Sequence, residues 1–439
     1  MDNLNRRGFL KSLGLVSAAT IASETLWADA IYKGSSIVER DAVSRGPAAK
    51  LINGKAIRPE HEIKIIRDTD VLVVGGGCAG VVAALSAARA GAKVTIVERY
   101  GCFGGLWTGG MVLIVLATHS NEKTGLTKCV RGIGDEMLER LKKIPGGIIN
   151  QAPGKRDPTS DPEATKYIMA CMLREAGVDM LLHSWVTNSI MEKETIRGAI
   201  FESKSGCRAI TAKVIVDTTG DGDVYAAAGA EHVRHIHKIG LVHRLGNTDR
   251  IKSKKRMGGP TPHPSVKWVN MQGPPGDCLD VEALTRCDVD GREAIWNKLK
   301  ALQEQPGNEK LFLLDTASQL GVRASRTLKG RYELKERDFG KTFEDTVGAG
   351  GAYFGIKVMC QIPYGILVPE KVDNILTAGR CVAADNLMLN FTRLIGPCLV
   401  TGQAAGAAAY LAAAQKTSPR NIAVPKLQEL LKKQGAFLG

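Results

Sequence analysis

The chain has 439 residues, 44% of them hydrophobic, and a net charge of +14. That length supports more than one core. Lysine and arginine are spread along the chain and aromatics make up only 5%. This excludes an aromatic-laced basic face, so no nucleic-acid partner is expected; the excess charge suits an anionic ligand or partner instead. The densest basic run, Arg250 to Arg256, reads as a solvated loop.

Arg6-Arg7-Gly8-Phe9-Leu10-Lys11 resembles a twin-arginine export signal. A mildly apolar stretch from Ser12 to Ile21 follows, then Ala28-Asp29-Ala30 as a cleavage site. Residues 1–30 therefore read as a signal peptide, with the twin-arginine export machinery as a partner and the periplasm as the destination. The apolar stretch is too short for a stop-transfer helix, and no other segment spans a membrane, so no stable membrane insertion is expected. That route carries folded proteins, which favours a tightly bound cofactor. Residues 31–65 read as an N-terminal arm.

A strand, Asp70 to Val74, leads into Gly75-Gly76-Gly77-Cys78-Ala79-Gly80. An alanine-rich helix and a second strand follow, Lys93 to Val97, ending in Glu98. This is a complete βαβ dinucleotide-binding unit. One glycine allows the turn, one admits a pyrophosphate, and one lets helix and strand pack. The helix N-terminus faces the phosphates, and the acid at the end of the second strand accepts from ribose hydroxyls.

A second glycine-rich loop spans Gly101 to Gly110. Asp161 caps a helix with Pro162 at its first position, and Gly177 stops it. Strand-like runs follow at Asp179–Met191, Thr195–Phe201 and Ala209–Val216, the last leading to Asp217-Thr218-Thr219-Gly220-Asp221-Gly222-Asp223. Regular alternation stops at His232, where helices are expected near Arg292 to Gln305 and Lys310 to Leu320. It returns at Asn374, and a small-residue helix from Gly396 to Ala414 and a terminal helix from Pro425 close the chain. The expected fold is α/β: a Rossmann-like dinucleotide-binding domain (66–231 and 364–439) with an inserted α+β substrate or cap domain (232–363). No second G-x-G-x-x-G follows a strand, so no separate nicotinamide domain is expected. Ten cysteines are present without C-x-x-C spacing, so neither a metal nor an iron–sulfur cluster is expected.

The ordered motifs carry a resemblance. Added to the first loop are Glu98-Arg99, Gly104-Gly105 with Thr108, Val216 to Asp223, Gly321-Val322-Arg323-Ala324-Ser325-Arg326, Asn374 to Arg380 and Thr401 to Gly406. Together they resemble the FAD-dependent oxidoreductases of glutathione-reductase-like architecture, in the branch with the heterodisulfide reductase flavin domain. The resemblance implies FAD. It places Gly75, Gly77, Cys78, Ala79 and Gly80 along the pyrophosphate loop, Glu98 and Arg99 at the adenosine, and Gly104, Gly105 and Thr108 as further donors. It puts Val186 against adenine, Thr219, Gly220 and Asp221 along the dinucleotide, Gly379 and Arg380 near the flavin, and the helix starting near Gly396 at the flavin pyrimidine edge. Clustered cysteines of the iron–sulfur relatives are missing, so only the flavin site carries over.

Flavin chemistry needs a proton carrier and substrate charge pairing. Arg323 and Arg326, three apart, would share a helix face and clamp a carboxylate, or else form internal ion pairs with Glu333 or Asp338. Arg393 precedes the flavin-facing helix. His235, His237 and His243 crowd one stretch, with His235 and His237 on one side of a strand; the group reads either as a metal or acid–base cluster, with His243 the catalytic candidate, or as surface and packing residues. Tyr353 and Tyr364 are candidate pocket aromatics. These residues suggest an exported FAD enzyme acting on a small, anionic molecule. The alternative is an electron-transfer subunit serving a redox partner.

Overall fold

The computed structural model describes residues 47–122, 125–150, 157–251, 257–353 and 355–439. The export-signal segment, the first part of the arm and positions 252–256 of the basic run lie outside the described residues.

Strand β1 (Ile65–Val74) ends in a fully buried apolar run. Such a run suits a parallel strand covered on both faces. It pairs in parallel with β2 (Val94–Val97) on one side and β6 (Gly206–Asp217) on the other. Beyond β2 lies β3 (Asp179–Leu181), also parallel. Strands β4 (Trp185–Glu192) and β5 (Thr195–Ser203) reach β6 by antiparallel pairing. Late in the chain β14 (Ile375–Thr377) returns parallel to the last residues of β6. Val74 lies in register with Val97 and Asp217, and Asp217 with Thr377. The carboxyl ends of four strands therefore align, and their loops share one edge, where ligands of open α/β sheets bind.

Helix α1 (Cys78–Ala90) packs against the late helix α3 (Ile395–Gln415). The contact explains the small residues of both. A Cβ on Gly402 would come within 2.3 Å of the Ala79 carbonyl oxygen, and one on Gly406 within 2.1 Å of that of Ala83. Larger residues would push the helices apart and open the core beneath the cofactor loop.

The chain leaves this layer at β7 (His232–Arg234) and returns at β13 (Arg326–Leu328); the two pair as a neck. Between them, β8 (Ile236–Gly246), β9 (Gly259–Pro260), β10 (Lys267–Asp277) and β11 (Phe312–Thr316) form an antiparallel sheet in the order β9-β10-β8-β11, with β12 (Gly321–Val322) also on β8. Helix α2 (Val281–Gln303) covers it, burying Ile295 and Leu299 with Leu241, Val242, Trp268 and Leu245. The fold is thus α/β, with a Rossmann-type sheet carrying an inserted α+β layer. After the neck, Leu334, Val347, Cys360 and Ile362 rejoin the main core, so the core does not change hands at 363.

Two expectations need correction. The helix expected at Lys310 to Leu320 is instead strand β11, because its backbone completes the edge of β8. Helix α2 starts well before Arg292: Asp280 caps it, accepting from the Glu282 amide at 3.0 Å. Gly291 in mid-helix hides it from the sequence. That glycine lies against the sheet, where a Cβ would meet Leu241 at 3.3 Å. Among the described residues, no helix is long and apolar enough to cross a membrane.

Candidate functional site: a dinucleotide cradle and a basic cleft

The three motif glycines have different reasons to be glycine. Gly75 has φ +100°, and a Cβ there would lie 2.5 Å from the Thr218 carbonyl oxygen. A Cβ on Gly80 would lie 1.9 Å from the Gly75 carbonyl oxygen. Gly77 has φ −65° and nothing within 4 Å of its would-be Cβ. Neither backbone conformation nor protein packing demands glycine at 77. Its Cβ would fill the open cradle at the N-terminus of α1, where backbone donors and the helix dipole favour phosphate. Cys78 and Ala79 begin that helix, and Ala79 is buried against α3 and Gly379.

The second loop closes the cradle. The Gly104 amide donates to the Gly76 carbonyl at 2.7 Å, and Gly105 passes so close that its Cβ would lie 3.0 Å from Gly77 Cα. Thr108 is fully buried. Its hydroxyl donates to the Phe103 carbonyl at 2.7 Å and its amide to Gly105 at 3.2 Å. Its donors therefore hold the loop's turn and do not face the cradle.

Beside the cradle, Glu98, Arg99, Trp185, Val186 and Thr219 line one cavity with Gly75. Glu98 is buried, and its two oxygens accept from the Gly76 amide at 2.6 Å and the Tyr100 amide at 2.8 Å. Burial pushes its pKa up against these bonds. A carboxylate oxygen keeps further acceptor capacity, which a ribose hydroxyl could use. The Arg99 guanidinium lies 5.7 Å from the Trp185 ring centroid. Trp185 was not anticipated from sequence; its position beside Val186 at the strand start was the available signal.

Asp217 is fully buried and accepts from the Thr219 hydroxyl and the Val224 and Tyr225 amides, fixing the bend that carries the next residues. Burial pushes its pKa up to about 6. A Cβ on Gly220 would meet Arg380 Nη2 at 2.7 Å. Arg380 pairs with Asp221 at 2.9 Å, and Asp221 also accepts from the Ser325 hydroxyl at 2.6 Å. Burial opposes the Asp221 charge, but Arg380 and Ser325 hold its carboxyl below the usual range. Arg326 donates to the Asp221 carbonyl at 2.9 Å and pairs with Asp223 at 3.0 Å. This network ties the neck to the cofactor edge. Gly379, at φ +83°, leaves room for Ala79, 3.0 Å from its would-be Cβ. At the start of α3 the Gly396 amide donates to the Leu116 carbonyl at 3.3 Å. Part of that helix end is therefore already satisfied by protein.

The expected helical pairing of Arg323 and Arg326 is corrected by the structure. The segment is extended, with β12 and β13 on either side, and the two side chains part. Arg326 joins the aspartates above, not Glu333 or Asp338. Arg323 donates to Asn270 Oδ1 at 3.0 Å and the Lys238 carbonyl at 3.3 Å. Arg393 donates to Asn390 Oδ1 at 3.2 and 3.3 Å. His237 precedes Lys238, whose carbonyl takes the Arg323 bond. It lines a cleft of about 390 Å³ with His235, Asn386 and Leu389. Burial holds the His237 pKa down, and its Nδ1 has no hydrogen-bond partner among the described residues. His235 bonds Thr327 Oγ1 at 2.7 Å across the neck. His243 is not brought to this cleft. It is buried in β8 near Lys298 and Asp315, and burial lowers its pKa to about 4, so it is neutral at pH 7. Tyr364 is buried, its hydroxyl donating to the Pro419 carbonyl at 2.9 Å, a packing position. Tyr353 lies 6.0 Å from the Phe391 ring, near Arg393.

A digeranylgeranylglycerophospholipid reductase 2 from Methanopyrus kandleri is 26% identical over 151 residues, 34% of this chain and 37% of that protein. A thiamine thiazole synthase from Aeropyrum pernix is 31% identical over 175 residues, 37% of this chain and 58% of that one. The chain thus matches well under two thirds of these relatives' own lengths. Among solved structures, a geranylgeranyl bacteriochlorophyll reductase-like protein from Thermoplasma acidophilum covers 84% of each chain at 16% identity, TM-score 0.45. The family described as FAD dependent oxidoreductase matches residues 70–240 and 243–431, most of the chain, and this protein belongs to that family.

Proposed function

We propose that this FAD-dependent oxidoreductase oxidises or reduces a small organic molecule bound in the cleft between the inserted layer and the segment before α3. The open cradle over Gly77, together with a cleft lined from both parts, is the observation that carries the reading. Bound FAD supplies two-electron transfer. The chain's own part is positional: amides at the start of α1 hold the diphosphate, Glu98 holds the adenosine ribose, and the Arg380–Asp221 pair shapes the flavin end. His237, neutral at pH 7, holds or accepts a proton at Nδ1. The separate cleft favours an enzyme with its own substrate over a protein that only passes electrons to a partner.

Arg6 and Arg7 support export to the periplasm by the twin-arginine route, after FAD has bound in the cytoplasm. The motifs Gly321 to Arg326 and Thr401 to Gly406 favour the branch with the heterodisulfide reductase flavin domain.

The test is to purify the protein, record flavin absorption, photoreduce it anaerobically, and screen small molecules for reoxidation, with the reverse screen on the oxidised protein. Gly77→Ala should fold normally and bind FAD about tenfold or more weakly, since a methyl group there meets only the ligand. Unchanged FAD affinity would overturn the cradle. Arg6→Lys with Arg7→Lys should leave the protein in the cytoplasm; periplasmic recovery equal to the parent would overturn the export route.

A further inference from the structure

Beside the cleft, two guanidinium groups stand without a carboxylate partner among the described residues. Arg323 lies along β8, where Gly240 makes room for it: a Cβ there would come within 2.9 Å of Arg323 Nη1. Its donors go to an amide side chain and a backbone carbonyl. Among the described residues, the hydrogen bonds of the Arg393 guanidinium go to the neutral Asn390. Both are half-buried. Burial and the nearby Arg323 charge bring Arg393 down to about 10, and Arg380 adds to the repulsion. Like charges drawn together out of water are unfavourable unless an anion joins them. Each guanidinium also retains donors beyond its neutral acceptor, in the fork that matches a carboxylate. His237, whose Nδ1 has no hydrogen-bond partner among the described residues, lines the cleft with Leu389; Arg323 bonds the carbonyl of its neighbour Lys238, and Arg393 bonds Asn390, the neighbour of Leu389.

We infer that Arg323 and Arg393 together form a recognition site for a carboxylate of the substrate, with His237 Nδ1 at its edge. This names the substrate class and rests on the reading of the cleft as the substrate site. Asn270 and Asn390 are positioning residues that aim the two guanidinium groups. Arg326 and Arg380 are excluded from the role, because their own aspartates already occupy them.

The test is calorimetric titration of the purified holoprotein with acetate, malonate and succinate, using malonamide as the uncharged control. At least one carboxylate should bind saturably while malonamide does not. Arg323→Gln and Arg393→Gln should each weaken that binding about tenfold or more, the range expected for a lost charged hydrogen bond. Arg393→Lys should recover part of the loss. Failure of all three carboxylates to bind, equal binding of malonamide, or unchanged affinity in both glutamine variants would overturn the inference. Flavin photoreduction is recorded on the same samples. A flavin that cannot be reduced sinks the oxidoreductase mechanism, whereas anion binding is read independently by heat.

Discussion

Arg380 and Arg326 face aspartates, whereas Arg323 and Arg393 face only amides and carbonyls. Arg323 and Arg326 are three residues apart and belong to opposite groups. The difference comes from which strand end each meets. Asp221 and Asp223 follow β6 at the cofactor edge, and the neck turns Arg326 toward them. Arg323 points across β8, where its partners among the described residues are the Lys238 carbonyl and Asn270, not a carboxylate. The paired group holds the two layers together; the unpaired group keeps donors for something that is not protein. His243 meets burial differently from all four arginines, by giving up its proton.

The largest expected effect is at the paired group. Asp221→Asn leaves Arg380 buried and charged without its carboxylate, at a cost of about 3–5 kcal/mol. Scanning calorimetry should show a clearly lowered midpoint, together with flavin loss. A change below about 1 kcal/mol would mean that Arg380 is not held by the pair. Arg326→Gln should cost less, about 1–3 kcal/mol, since Asp223 is partly exposed and Arg326's other bond is to a carbonyl. Its effect should appear as weaker attachment of the inserted layer, measured by hydrogen exchange across His232–Arg234 and Arg326–Leu328.

The turns and strand ends of the first layer were largely legible in the sequence, and the pairings of the inserted layer were not. Gly75 to Gly80, Glu98 and Asp217 to Asp223 work through local turns and strand ends, which sequence order preserves. The partners of Arg323 and Arg326 depend on strand pairing with residues some 50 to 100 positions away, for which a helical reading of R-A-S-R offers no clue. Strand β11 escaped notice because its place is fixed by the edge of β8 and not by its own pattern. Thr108 shows the same limit: next to glycines it reads as a backbone donor, yet the tight loop gives its amide to the Gly105 carbonyl and its hydroxyl to that of Phe103.

The histidine supplies a pH-dependent prediction. His243 titrates near 4 in the folded chain against about 6.5 unfolded. The unfolded state therefore binds more protons between those values. Its contribution to stability is complete above about pH 6.5 and is lost as pH falls toward 4, at no more than about 1.4 kcal/mol per pH unit. Asp217 acts with the opposite sign: its raised pKa, about 6, favours the folded state at low pH and loses that effect as pH rises through 6. The two slopes overlap and partly cancel in the parent. Comparing parent and His243→Asn from pH 7 to pH 4 isolates the histidine: the parent should lose stability faster than the variant. Parallel curves would mean that His243 is not buried neutral.

The smallest effect on stability should come from the unpaired group. Arg393→Gln removes a half-buried charge that repels Arg323 and Arg380, and it gives up only bonds to Asn390. Replacing such a charge by a shorter neutral amide should leave unfolding within about 1 kcal/mol of the parent, or raise it slightly. A structural arginine gives the opposite outcome. If Arg393→Gln destabilises the protein as much as Asp221→Asn does, then Arg393 has a partner that holds the fold, and the division between paired and unpaired arginines fails. If stability stays level while carboxylate binding falls, the cost of keeping that charge half-buried is borne for a ligand. Arg393 would then serve recognition, just as Arg380 serves the fold, although both flank the same short segment, 381–392.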